Sequence, residues 1–252
     1  MKVKKLLLIT VLFFFCGCSQ SDRITQTSTI DALLAGAYDG QIECGKLLSS
    51  GDFGIGTFDR LDGEMAVLDG KVYQIKADGK VYRPAGNVKT PFATVCKFKP
   101  DTRFEIKWAD FKTAESIINE KILNQNIFAA VKITGTFKYM KTRSVPAQNK
   151  PYPPLVEVAK NQPVFEMNEV RGTIVGFRSP PFVKGVNVSG FHFHFLSNDF
   201  TRGGHVLDFQ LDAGKCEIDV CNELLLILPE DDILKDIDLS EDKSEELQKV
   251  EK

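Results

Sequence analysis

"SGFHFHFLSNDFTRGGH", residues 189–205, carries all three histidines of a 252-residue chain: His192, His194 and His205. On a strand, side chains at i and i+2 share a face and stand roughly 6.4–6.8 Å apart along it. His192 and His194 therefore point one way, and Phe191, Phe193 and Phe195 the other way into apolar packing. "SNDFTRGG" is rich in turn residues and can bring the chain back antiparallel, with His205 on the neighbouring strand facing the same pocket. Imidazoles so placed converge on one cation, with Zn–N distances of about 2.0–2.1 Å. Three neutral nitrogens leave positions open for water or substrate, the plan of a catalytic metal site rather than a closed structural one. HxH spacing alone fixes the ion better than the reaction.

Around this stretch the strand signal continues. "RGTIVGF" (171–177) precedes it and "HVLDFQL" (205–211) follows it, each bounded by Gly, Pro or Asn. "NIFAAVKITGTFKYMKTR" (126–143) also reads as strand. Toward the N-terminus, Asp62-Gly63, Asp69-Gly70 and Asp78-Gly79 are closely spaced turns separated by runs such as "MAVL" and "KVYQI", an antiparallel meander. Helices are few. Ser28-Thr29-Ile30-Asp31 resembles a capping box opening a short helix that ends near Gly36. "TAESIINEKILNQ" (113–125) reads as a helix burying Ile117, Ile118 and Ile122. "NKPYPPL" (149–155) is irregular because of its prolines. The expectation is a strand-rich α+β fold with two sheet-based lobes and largely antiparallel or mixed sheets, the N-terminal lobe over 29–140 and the metal-binding lobe over 141–230. The acidic tail, 231–252, ends in a short helix.

Composition narrows the class. The chain is 43% hydrophobic and 26% charged with net charge −2, and has neither a basic block nor an interleaved aromatic-basic patch, so no nucleic-acid partner is expected. A basic start, Met1 to Lys5, an apolar run, Leu6 to Phe15, and Phe15-Cys16-Gly17-Cys18 resemble a bacterial lipoprotein signal over residues 1–18. Cys18 is then the lipidation site and 19–28 a tether; export to the periplasmic or cell-surface side follows, with membrane attachment by the lipid anchor alone. Cys44, Cys96, Cys216 and Cys221 read as structural. Cys216 and Cys221 are a possible oxidised pair in an exported chain, with connectivity left open by the sequence. Asn187-Val188-Ser189 is a formal glycosylation sequon and is read as chance beside a bacterial-type signal.

"GTFDRLDGEM" (56–65), "RSVPAQNKPYPPL" (143–155), "GTIVGFRSPPFVKGVNVSGFHFHFLSNDFTRGGHVLDF" (172–209) and the terminal "KVEK" together resemble the α-acetolactate decarboxylase family, over about 29 to 252. The resemblance implies conversion of 2-acetolactate to acetoin and CO2, a zinc ion on His192, His194 and His205, and a homodimer. It further implies functional roles for Glu64, Arg143 and Glu251, with Thr57 beside the substrate and the C-terminal tail folded back over the metal. Acetolactate is a β-keto acid, and losing CO2 leaves electrons that delocalise into the ketone as an enediolate. A Lewis acid chelating carbonyl and hydroxyl oxygens stabilises that charge. Arg143 can then position the carboxylate, and Glu64 or Glu251 relay the closing proton. Two other classes compete: a zinc-binding lipoprotein for metal capture, and a metallohydrolase on the same three histidines with Glu64 as base. The first would typically carry His-rich or acidic low-complexity tracts, which this chain lacks.

Overall fold

The computed structural model describes residues 22–229, 232–235 and 237–251. The basic–apolar start and Cys18 lie outside the described residues. In chain order the first half contributes β1 (Arg23–Thr27), α1 (Ile30–Leu34), β2 (Ile42–Glu43), α2 (Cys44–Leu47), β3 (Phe53–Thr57), β4 (Glu64–Leu68), β5 (Lys71–Ile75), β6 (Val81–Tyr82), β7 (Lys89–Thr90) and β8 (Ala93–Cys96). The second contributes β9 (Thr102–Asp110), α3 (Phe111–Lys121), β10 (Phe128–Arg143), α4 (Leu155–Ala159), β11 (Val164–Ser179), β12 (Gly190–Ser197), β13 (Gly203–Cys221), β14 (Glu223–Ile227) and α5 (Ser244–Glu251).

Two sheets dominate. The first has seven strands in the order β14-β1-β8-β3-β4-β5-β6, antiparallel except where β1 and β14 run parallel. The second runs β10-β11-β12-β13-β9, and β10 also pairs β13, closing that sheet on itself. The strand-rich α+β expectation is met. The meander is there as read: Asp69 and Gly70, both with positive φ, turn β4 into β5.

Period-2 alternation explains the cores. On β10, Ala129, Val131 and Ile133 enter the interior of the closed sheet, which α3 covers with Ala114 and Ile118. Phe128 and Ala130 point the other way, into the layer shared with Ile55, Ala66 and Ile75 of the first sheet. Phe193 and Phe195 of β12 fill the closed sheet against Phe111 and Phe137, each burial stabilising by roughly 1.5–3 kcal/mol. A third cluster joins the short helices: Ile30 and Leu33 of α1, Leu155 and Val158 of α4, and Val250 of α5. It caps the end of the sheets where the histidines lie.

Four expectations need correction. Arg23–Thr27, read inside a polar tether over 19–28, is a strand at the heart of the first sheet, buried from Ile24 onward. The chain changes sheets between Cys96 and Thr102 rather than near 140, and β14, assigned to the second lobe, returns to the first sheet. The helix read over 113–125 runs Phe111–Lys121 because Asp110 caps it, its side chain accepting from Thr113 N–H. The first helix is capped by Thr29 instead of Ser28. Asn187 is buried and donates to Gln26, which closes the sequon to a glycan.

Candidate metal centre and active site

Strand register assembles the site. His194 of β12 is the direct partner of His205 of β13, and His205 is the partner of Arg143 at the end of β10. The three residues thus form one row across three hydrogen-bonded strands. His192 stands two residues from His194 on the same face. Gly204, at φ +142°, makes the row possible: a Cβ there would meet the Arg143 carbonyl, so only glycine lets β13 close up on β10.

The rings converge. Their centroids are 5.0–5.5 Å apart, and one nitrogen from each lies within 4.8 Å of the others. His205 Nδ1 is 3.2 Å from His192 Nε2. His194 Nδ1 is 2.7 Å from the Met65 carbonyl. A carbonyl only accepts, so Nδ1 carries the proton and Nε2 presents a lone pair. That Nε2 is buried with no hydrogen-bond partner among the described residues. Burial, reinforced by the Arg143 charge, pushes His192 down to about 3, and burial holds His194 and His205 well below the usual histidine range. Three uncharged imidazoles with an orphaned nitrogen in their midst suit a divalent cation.

The carboxylates arrive from elsewhere. Glu64 opens β4, opposite Thr57 in the β3–β4 hairpin. Gly63 precedes it at φ +90°, with the Ile75 carbonyl where a Cβ would go. Glu64 Oε2 is 3.5 Å from His194 Nε2. Glu251, at the last turn of α5, places Oε2 at 3.9 Å from His192 Nε2 and 3.8 Å from His205 Nε2. Burial raises Glu64 to about 8, opposed by Arg143 and assisted by Glu251. Burial raises Glu251 to about 7, again opposed by Arg143. Arg143 is buried with Nε unpartnered among the described residues.

All six groups line one cavity of about 50 Å³, walled by Ile30, Leu33, Leu61, Phe92, Val145, Leu155 and Val250. An adjoining cavity of about 690 Å³, bordered by α5, shares His205 and Glu251. Thr57 lines the smaller cavity, but its hydroxyl donates to the Gly63 carbonyl at 2.7 Å, leaving it only as an acceptor toward a ligand. Sequence reasoning missed Gln162, which also lines the cavity and whose Oε1 is buried without a partner among the described residues. No motif marks it; it follows α4 in an irregular stretch.

A buried acid–base pocket with a metal-competent histidine cradle and apolar walls is the site of an enzyme acting on a small molecule. The comparisons say which kind. The alpha-acetolactate decarboxylase family model matches residues 24–241, and the chain belongs to that family and is a decarboxylase. It is 47% identical over 233 residues to the alpha-acetolactate decarboxylase of Methanosarcina mazei, covering 92% of this chain and 81% of that protein. It is 43% identical to that of Methylococcus capsulatus, covering 92% and 90%. The crystal structure of alpha-acetolactate decarboxylase from Bacillus subtilis strain 168 superposes with a TM-score of 0.89 at 37% identity, covering 91% of this chain and 99% of that one.

Proposed function

We propose that the chain converts 2-acetolactate to acetoin and CO2 with zinc held by His192, His194 and His205. The observation that carries this is the shared pocket: three neutral imidazoles, two carboxyl groups and a guanidinium whose Nε has no partner among the described residues converge there. 2-Acetolactate is the molecule that gives the family its name, and the chemistry of the pocket suits it. A divalent cation in the cradle supplies Lewis acidity at substrate oxygens, stabilising negative charge as CO2 departs. The remaining work falls to the chain's own groups. Arg143, a permanent forked cation, binds and orients the substrate carboxylate. The carbon–carbon bond breaks with its electron pair left on the hydroxyl-bearing carbon and delocalised into the neighbouring ketone. Glu64 and Glu251 lie at different edges of the cradle, 3.5 Å from His194 Nε2 and 3.8 Å from His205 Nε2, and one of them delivers the proton that completes acetoin. Apolar walls receive the methyl groups and exclude water, so these charges act unscreened.

The test measures acetoin and CO2 from racemic acetolactate before chelation, after it, and after zinc is restored. Loss and recovery are expected in step with metal content. Full turnover by a metal-free sample would remove zinc from the mechanism, and no acetoin from a zinc-loaded sample would remove the substrate.

Export as a lipoprotein and homodimerisation belong to the same proposal. The N-terminal pattern supports the first, and family resemblance the second. Cys18→Ser is expected to move the protein from the membrane to the soluble fraction, and sedimentation is expected to give twice the chain mass.

A further inference from the structure

Cys96 ends β8 in the first sheet, Cys221 ends β13 in the second, and each is about 1% exposed. Their sulfurs and a carboxylate oxygen of Asp219 all lie within 4.8 Å of one another. At Cys221 the chain leaves the second sheet: Asn222 N–H donates to the Asp22 carbonyl, and β14 continues beside β1. The thiols therefore meet where the chain crosses between sheets. Cys216 is no rival partner. Five residues from Cys221 on one strand, it faces the opposite side, into the closed sheet's interior. Cys44 packs in a separate cluster under α2.

Two chemistries suit a pair of thiols beside a carboxylate, a thiolate-held cation or a disulfide, and the surroundings choose. Asp219 and Asp52 lie near Cys96, and neither carboxylate enters an ion pair among the described residues. Asp219 already accepts Lys99 N–H at 2.8 Å. Two thiolates and Asp219 around a divalent ion would leave net negative charge buried beside Asp52. A disulfide is neutral and carries no such cost.

We propose that Cys96 and Cys221 form a disulfide that fastens the first sheet to the second. Each thiol gives up its proton, and the pair gives up two electrons to a disulfide oxidant such as oxidised glutathione. The oxidant leaves as two thiols and the Sγ–Sγ bond forms, by way of a mixed disulfide. The native thiols are buried, and contact with each other, burial and the nearby carboxylates hold Cys96 well above the usual thiol range. Oxidation therefore takes place during folding, before the layer between the sheets closes. The link has a functional consequence. Glu64 and Thr57 come from the first sheet and Arg143 and the histidines from the second, so the bond ties together the two halves of the site.

The purified chain is refolded in reduced and oxidised glutathione, free thiols are alkylated, and unreduced peptides are mapped by mass. A Cys96–Cys221 peptide is expected, with Cys44 and Cys216 alkylated. The thermal midpoint is expected to exceed that of the reduced chain by about 5 °C or more, because the bond constrains a long loop in the unfolded state. Cys96→Ser should abolish that difference. Alkylation of both thiols after oxidative refolding, or a bridge to another cysteine, overturns the proposal. So does a second ion per chain that is retained by the wild type and lost in Cys221→Ala. The peptide map needs no variant, so poor folding of either mutant leaves the proposal testable.

Discussion

The nitrogen groups of the site and its carboxyl groups have different structural origins. His192, His194, His205 and Arg143 all stand on the second sheet, in positions set by backbone pairing between neighbouring strands. Glu64 is carried in by the first sheet, paired there with Thr57 and Ile75, and Glu251 by the final helix, so neither shares the backbone pairing of the second sheet. A hydrogen-bonded row fixes side chains to within a fraction of a strand spacing and is lost only if the sheet slips. A docked hairpin or helix can shift without disturbing the sheet. The cradle for the metal is therefore the rigid half and the acid–base groups the adjustable half, and lesions in the two should separate binding from chemistry.

The sharpest break is His194→Ala. It removes the ring whose Nδ1 is held by the Met65 carbonyl and whose Nε2 has no partner among the described residues, and metal content and turnover should fall together, kcat/KM by about 10³-fold or more, the scale of losing an electrostatic stabiliser. Metal analysis beside the acetoin assay reads both. Glu251→Gln should divide the two: turnover down by about 10²-fold or more, metal retained, and the thermal midpoint nearly unchanged because Val250 still packs with α1 and α4. Loss of metal in that variant would place the final helix in the rigid half.

Smaller effects test the sheets themselves. Glu217 and Asp219 share one face of β13 yet titrate in opposite senses. Burial, with Asp101, Asp22 and Asp52 nearby, raises Asp219 to about 6 despite the Lys99 N–H. Its folded form holds a proton more tightly than the unfolded chain does, so its contribution is full below about pH 4 and lost as pH rises through about 6. Asp219→Asn should therefore stabilise by about 1–2 kcal/mol at pH 7 and by nothing near pH 4. Against burial, Lys215 and Lys132 bring Glu217 down to about 2, so its stabilisation is present above the ordinary carboxylate range and lost as pH falls through about 2. Glu217→Gln should cost about 1 kcal/mol at pH 7, since Lys215 is half exposed. Urea unfolding at the two pH values checks both. An effect of similar size is expected from Thr29→Ala, which deprives Ala32 N–H of its 3.2 Å acceptor and should cost about 1 kcal/mol in the same measurement.

The histidine strand was legible because alternation of Phe and His has one reading on a pleated surface, and because the turn residues after it return His205 to its neighbour. The Asp-Gly turns likewise revealed the meander that carries Glu64. Arg23–Thr27 was misread because "RITQT" is short and polar and its partners lie about 70 and 200 residues away, at Ala93–Cys96 and Glu223–Ile227. Cys221 was offered the wrong neighbour for a related reason. Nearness along a strand suggested Cys216, whereas parity sends it to the other face and the folded chain brings Cys96 instead.

The sequence by itself determined the periodicities, the turns and the metal-ligand set, because these depend on interactions between residues a few positions apart. Only the tertiary structure decided that Thr57 spends its proton on Gly63, that Gln162 enters the pocket and that Cys96 and Cys221 meet where the chain crosses between the sheets. Those meetings depend on which apolar faces bury one another, and burial is a property of the whole chain that no local window contains.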